Sequence, residues 1–96
     1  MINGTKEGGV EMNFTIKNKL GLHARAASMF VQVASGFDSD IFIVKNGQEV
    51  NGKSIMGILI LAAPSGSEIT VKALGSDADS AVAALGRLIE DRFGEE

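Results

Sequence analysis

The sequence predicts an α+β domain, an open-faced β-sandwich in the order β-α-β-β-α-β-α, with a four-stranded antiparallel sheet and three helices on one face. Three observations carry this expectation. Apolar residues alternate at period two over residues 10–16 and 68–74, as strands with one buried face require. Asn46-Gly47, the dipeptide that suits a type I′ hairpin, separates two short strand-like runs. Three further segments carry apolar residues at helical spacing and need a sheet face on which to bury them.

Residues 1–9 are Gly-rich and polar without periodicity, and read as a flexible leader to a single domain over residues 10–96. In the first strand Val10, Met12, Phe14 and Ile16 alternate with Glu11, Asn13, Thr15 and Lys17. Asn18 to Leu22 break the pattern. From Ala24 to Ser35 the stripe Ala26, Ala27, Phe30, Val31 and Ala34 marks a helix, with Gly36 at its stop. Ile41 to Lys45 and Gln48 to Asn51 form the hairpin strands. Ser54 caps a helix over Ile55 to Leu61, which Ala62-Ala63-Pro64-Ser65-Gly66 terminates. The fourth strand, Glu68 to Leu74, turns Ile69, Val71 and Ala73 inward. Ser76-Asp77-Ala78-Asp79 is an acidic capping pattern opening the last helix, whose stripe is Ala78, Val82, Leu85, Ile89 and Phe93 and which Gly94 ends. Asp77 and Asp79 place favourable charge in its first turn.

Composition narrows the function. At 96 residues, 45% hydrophobic and 22% charged, there is material for one core and not two. The absence of cysteine excludes disulfides, a thiolate nucleophile and cysteine-based metal sites. A net charge of −3 without a Lys/Arg cluster, together with no Trp or Tyr, argues against nucleic acid as a partner. No apolar run is long enough to span a bilayer, and the N-terminus lacks an export signal's apolar region, so a cytoplasmic protein is expected. The carboxylate pairs Asp38/Asp40 and Asp77/Asp79 are too sparse for a metal site.

The only histidine, His23, stands where the alternating segment gives way to the helical one. A helix N-terminus disfavours imidazolium, leaving a nucleophilic ring, and its free N–H groups and dipole favour a phosphate on that ring. Ala24 and Arg25 supply the next N–H groups, and the Arg25 guanidinium can reach phosphoryl oxygens. The helix after Ser54 is apolar nearly all round, so part of it must be exposed, and Met29 and Val33 continue the face of Arg25 at i+4 and i+8. These suggest a docking face.

Gly21-Leu22-His23-Ala24-Arg25 followed by Ala26-Ala27, with Lys53-Ser54-Ile55-Met56-Gly57 about thirty residues on, resembles the HPr family of histidine-containing phosphocarriers of the phosphoenolpyruvate-dependent phosphotransferase system. The resemblance runs from Val10 to the C-terminus. It implies a monomer without cofactor or metal. Enzyme I would phosphorylate His23, on Nδ1 in the family, and an enzyme II A-type domain would then take the group for sugar uptake. Arg25 would stabilise the phosphoryl within the backbone cradle of Ala24 and Arg25. Partner contacts would fall on Leu22, Ala24, Ser28, Met29, Ile55, Met56 and Leu59. Ser54 would be a regulatory phosphorylation site for an HPr kinase, with a transcriptional regulator as a further partner. An alternative within the resemblance is a regulatory carrier in nitrogen or carbon control. Ala26 departs from the proline common in the family, so the first helical turn loses a fixed φ and gains an N–H.

Two readings of other classes compete. Gly47 to Ser54 matches the P-loop pattern in full, which would make the chain a nucleotide binder. Against it, Glu49 would put negative charge in a triphosphate cradle, and Asn46-Gly47 reads as a hairpin. The other is a binding module that docks through its apolar face without using phosphohistidine.

Overall fold

The computed structural model describes residues 9–95, so the expected leader, except Gly9, lies outside the described residues. The elements run β1 (Gly9–Thr15), α1 (Ala24–Ala34), β2 (Asp40–Lys45), β3 (Gln48–Asn51), α2 (Ile55–Leu61), β4 (Glu68–Leu74) and α3 (Ala78–Glu90), followed by a 3-10 turn over Arg92–Gly94. The strands form one antiparallel sheet in the order β1-β4-β2-β3, in which β4 is inserted between the first two strands of the chain.

Sheet register follows from the alternation. Val10, Met12 and Phe14 lie opposite Ala73, Val71 and Ile69 of β4, and Ile41 and Ile43 lie opposite Ala73 and Val71 from the other side. These residues of β2 and β4 are buried under the helices. Helix α3 packs over β1 and β4, α2 packs on β3, and α1 contacts both other helices. Phe30 at the centre of α1 is fully buried, and burying an aromatic side chain of this kind contributes about 2 kcal/mol. The hairpin turn is of the expected type, since Asn46 and Gly47 both have positive φ, at 52° and 82°.

Several details differ from the sequence reading, each because of tertiary context. Gly9 pairs with Leu74, so β1 begins inside the expected leader. Met12 is 51% exposed although it shares the inward face, because β1 is an edge strand. Val31 is half-buried rather than in the core. Helix α3 stops at Glu90, and Phe93, though buried as expected, belongs to the turn beyond it, with φ of 54°.

Asp77 is the largest departure. It occupies the N-cap position of α3 but makes no side-chain bond to that helix. Its carboxylate instead accepts from the backbone N–H groups of Asp38 and Ser39, at 2.8 and 2.9 Å, and from the buried Ser39 hydroxyl at 2.5 Å. The clamp ties the start of β2 to the start of α3. These bonds, that from Ser39 Oγ foremost, hold the Asp77 carboxyl below the usual carboxylate range. A carboxyl whose folded pKa is depressed stabilises the fold above its unfolded pKa, and that contribution is lost as pH falls through the folded value. Asp77→Ala is therefore expected to lower the thermal midpoint at neutral pH. The gap to the parent should close in the acid range, as scanning calorimetry across pH would measure. A gap that stays constant down to low pH would show that the clamp is not acting as an ionised group.

Candidate functional site

The loop over residues 18–22 brings the chain from β1 to the N-terminus of α1, and its shape is set by two backbone constraints. Gly21 adopts φ of 69°, and a Cβ there would lie 2.5 Å from the Ala63 carbonyl oxygen and 2.9 Å from Pro64 Cα. The next residue is bound to the same place, Leu22 N–H donating to the Ala63 carbonyl at 2.9 Å. Leu22 is 4% exposed, which corrects its expected role as a partner contact. Its side chain belongs to the buried core, leaving its neighbour His23 as the partly exposed residue of the pair.

His23 is the N-cap of α1, with extended backbone and its carbonyl accepting from Ala27 N–H at 2.8 Å. The two ring nitrogens face opposite chemistries. Nδ1 accepts from Arg25 N–H at 3.3 Å, a long bond at the free N–H end of the helix. Nε2 lies 2.5 Å from Oε2 of Glu95, so a neutral ring carries its proton there and presents the Nδ1 lone pair to the helix start. Hydrogen bonds to Glu95, that from His23 foremost, hold its carboxyl below the usual range.

Around the ring, Ala24 and Arg25 are exposed and stand in the first turn, where N–H groups have no intrahelical acceptor. The Arg25 side chain has no ion-pair or hydrogen-bond partner among the described residues. Ala26 is fully buried, so its departure from proline leaves the solvent-facing side chains unchanged and alters only the backbone of the first turn.

The apolar face is present. Ile55, Met56 and Leu59 are 41%, 68% and 37% exposed, while Ile58 and Leu61 of the same helix are buried. Ser28 is exposed, but Met29 and Val33 are half-buried against the core, so the strip beside Arg25 is partly structural. Ser54 is the N-cap of α2, its hydroxyl accepting from Gly57 N–H at 3.1 Å, a cap worth about 1 kcal/mol.

The P-loop reading fails on this geometry. Gly47 is in the hairpin turn, Gln48 to Asn51 form a strand paired with β2, and Lys53 Nζ donates to the Phe37 carbonyl at 2.8 Å. The pattern is thus divided among a hairpin turn, a paired strand and a helix cap, and is not one continuous phosphate-cradling loop.

Three residues near His23 in the chain or in space were missed in the sequence reading. Leu20 is 66% exposed, and an isolated leucine within the polar Asn18-Lys19-Leu20-Gly21 segment is a signal that could have marked it; Ile60, 62% exposed, lies on the helix expected to be partly exposed. Glu95 and the buried Asn18, which donates to Glu95 Oε1 at 3.2 Å and to the Gly21 carbonyl at 2.7 Å, carry no local signal.

Comparison with known proteins gives one answer. A family model described as the PTS HPr component phosphorylation site matches residues 10–91. A phosphocarrier protein HPr of Neisseria meningitidis is 48% identical over 86 residues, covering 90% of this chain and 97% of its own. The HPr-like protein Crh of Halalkalibacterium halodurans is 51% identical over 81 residues, covering 84% and 96%. A crystal structure of HPr from Thermoanaerobacter tengcongensis superimposes with a TM-score of 0.88 at 49% identity, covering 91% of this chain and 98% of that one. The family match over most of the chain and the close relatives by sequence and by structure agree, and the chain belongs to the HPr phosphocarrier family of the phosphotransferase system.

Proposed function

We propose that the chain is a phosphoryl relay in which His23 Nδ1 accepts the group from phospho-enzyme I and yields it to an enzyme II A-type domain for sugar uptake. The observation that carries this is the position of Nδ1, its lone pair directed at the free N–H end of α1. In the step, Nδ1 forms a bond to phosphorus as the bond from phosphorus to the donor atom breaks, the donor keeping the electron pair. The Arg25 N–H then turns from Nδ1 to a phosphoryl oxygen, joined by Ala24 N–H and the Arg25 guanidinium. A 3.3 Å bond is weak enough to be exchanged in this way.

The family supports a cytoplasmic setting, and no helix among the described residues is long and apolar enough to cross a membrane. Ile55, Met56 and Leu59 with Ala24, Ser28 and Met29 form the partner face, the methionines supplying adaptability to several partners. Regulation acts at Ser54. A phosphate on its hydroxyl would sit at the start of α2 and add about two negative charges beside that face.

The test is incubation with phosphoenolpyruvate and enzyme I. One acid-labile, base-stable phosphoryl group per chain is expected, assigned to Nδ1 by phosphorus–nitrogen NMR coupling, and Ser54→Glu should slow its uptake. A stable phosphoester or no label would overturn the relay. Uptake by Ser54→Glu at the parent's rate would remove the regulatory role.

A further inference from the structure

The chain turns abruptly after α3, and the turn serves no helix or strand. Arg92, Phe93 and Gly94 all adopt positive φ, at 58°, 54° and 76°, a conformation that L residues disfavour and that two of the three must hold without a glycine's freedom. Phe93 is 2% exposed and anchors the segment in the core. Backbone bonds from Gly94 N–H to Asp91 O and from Glu95 N–H to Arg92 O, at 3.0 and 2.9 Å, close it. The result is that Glu95 is carried back to the far end of the molecule's chain order, onto the ring of a residue 72 positions earlier.

Both carboxylate oxygens are engaged there. Oε2 meets His23 Nε2 at 2.5 Å, and Oε1 accepts from Asn18 Nδ2 at 3.2 Å. Asn18 is fully buried and its amide also donates to the Gly21 carbonyl, so the carboxylate is held by the loop that presents His23. An unpaired glutamate outside a helix or strand ordinarily samples many rotamers. This one is held from two sides.

We propose that Glu95 is a positioning residue for the phosphoryl-accepting ring, its carboxylate fixing the Nε2–H tautomer of His23 and steadying the ring as Nδ1 takes the phosphoryl group. The proposal rests on the relay reading. When the Nδ1–P bond forms, the proton stays on Nε2 and the ring becomes cationic, so an anion hydrogen-bonded to that nitrogen favours the bonded state. When the group leaves, the N–P electron pair returns to Nδ1 and the neutral ring remains in the same tautomer. The carboxylate lies on the opposite side of the ring from the incoming phosphoryl, so it acts through the ring and not on phosphorus.

The test reads the ring and the rate separately, on the full chain. Two-bond proton–nitrogen NMR of the unphosphorylated protein, in mildly alkaline buffer, should show His23 as a single Nε2–H tautomer. In Glu95→Ala that signature should give way to a mixture, and uptake from phospho-enzyme I should slow by about ten-fold. Glu95→Gln should restore the tautomer, since an amide oxygen still accepts from Nε2–H, while its rate stays below the parent's for want of the charge. An unchanged ring in Glu95→Ala overturns the proposal, whether or not the rate falls. A changed ring with an unchanged rate overturns it as well. Should the parent chain take up no phosphoryl group, the relay reading fails, and the ring spectra alone decide whether Glu95 holds the tautomer.

Discussion

His23→Ala is expected to take up no phosphoryl group from phosphoenolpyruvate and enzyme I, while keeping its fold. The loss should be complete because the chain has no second candidate for the chemistry. It contains one histidine and no cysteine, and the segment that mimics a nucleotide loop is a hairpin with its lysine bonded to a backbone carbonyl. The fold should survive because the ring is partly exposed, and its local contacts are one long bond from Arg25 N–H and the bond of Nε2 to Glu95 at the rim of the site. Losing a cap of this kind typically costs about 1 kcal/mol. Arg25→Ala should behave differently, keeping the nucleophile and losing only charge stabilisation, so labelling slows without vanishing. Radiolabel uptake with circular dichroism on the same samples measures both parts. Equal labelling of His23→Ala and the parent would place the accepting atom elsewhere and remove the basis of the relay.

Legibility differs sharply between parts of this molecule, and the difference is physical. The second hairpin strand, α2 and β4 were readable to the residue, and the first hairpin strand to within one, because their signals are local: a φ-positive Asn-Gly pair, a capping serine, an alternation that starts just after Pro64 and Gly66. His23 and Arg25 were readable for the same reason, since a helix start is a local event. What was not readable depends on partners distant in sequence. Met12 alternates correctly yet is exposed, because only the assembled sheet shows that β1 has one neighbour. Asp77 looks like a cap and instead binds residues 38 positions back. Leu22 sits inside a motif that points to partner contact, but packing turns it inward. Glu95 reaches His23 only because a left-handed turn reverses the chain after α3, and nothing in Arg92-Phe93-Gly94 beyond its glycine announces that turn.

Gly21→Ala should be the most damaging single-methyl change near the site, and it should act on stability and on phosphoryl uptake together. Two penalties coincide at this position. The residue's φ of 69° is unfavourable for alanine, and the added Cβ would lie 2.5 Å from a backbone oxygen and 2.9 Å from a proline Cα, neither of which can swing aside as a side-chain tip could. Left-handed strain of about 1 kcal/mol and overpacking of about 2 kcal/mol together suggest roughly 3 kcal/mol, a large fraction of the stability of a domain this small. Relief requires the loop to lift from Ala63 and Pro64. That motion would break the bond from Leu22 N–H, shift the Gly21 carbonyl that Asn18 holds, and move His23 away from both Arg25 N–H and Glu95. Urea titration should therefore show a lower midpoint with an unchanged slope, and uptake at a temperature where the variant is folded should still be slow. Ala63 is itself buried, so the opposing backbone has little room to yield. A variant as stable and as quickly phosphorylated as the parent would mean that the loop relaxes freely, and that the close approach of Gly21 to the segment after α2 does not set the position of His23.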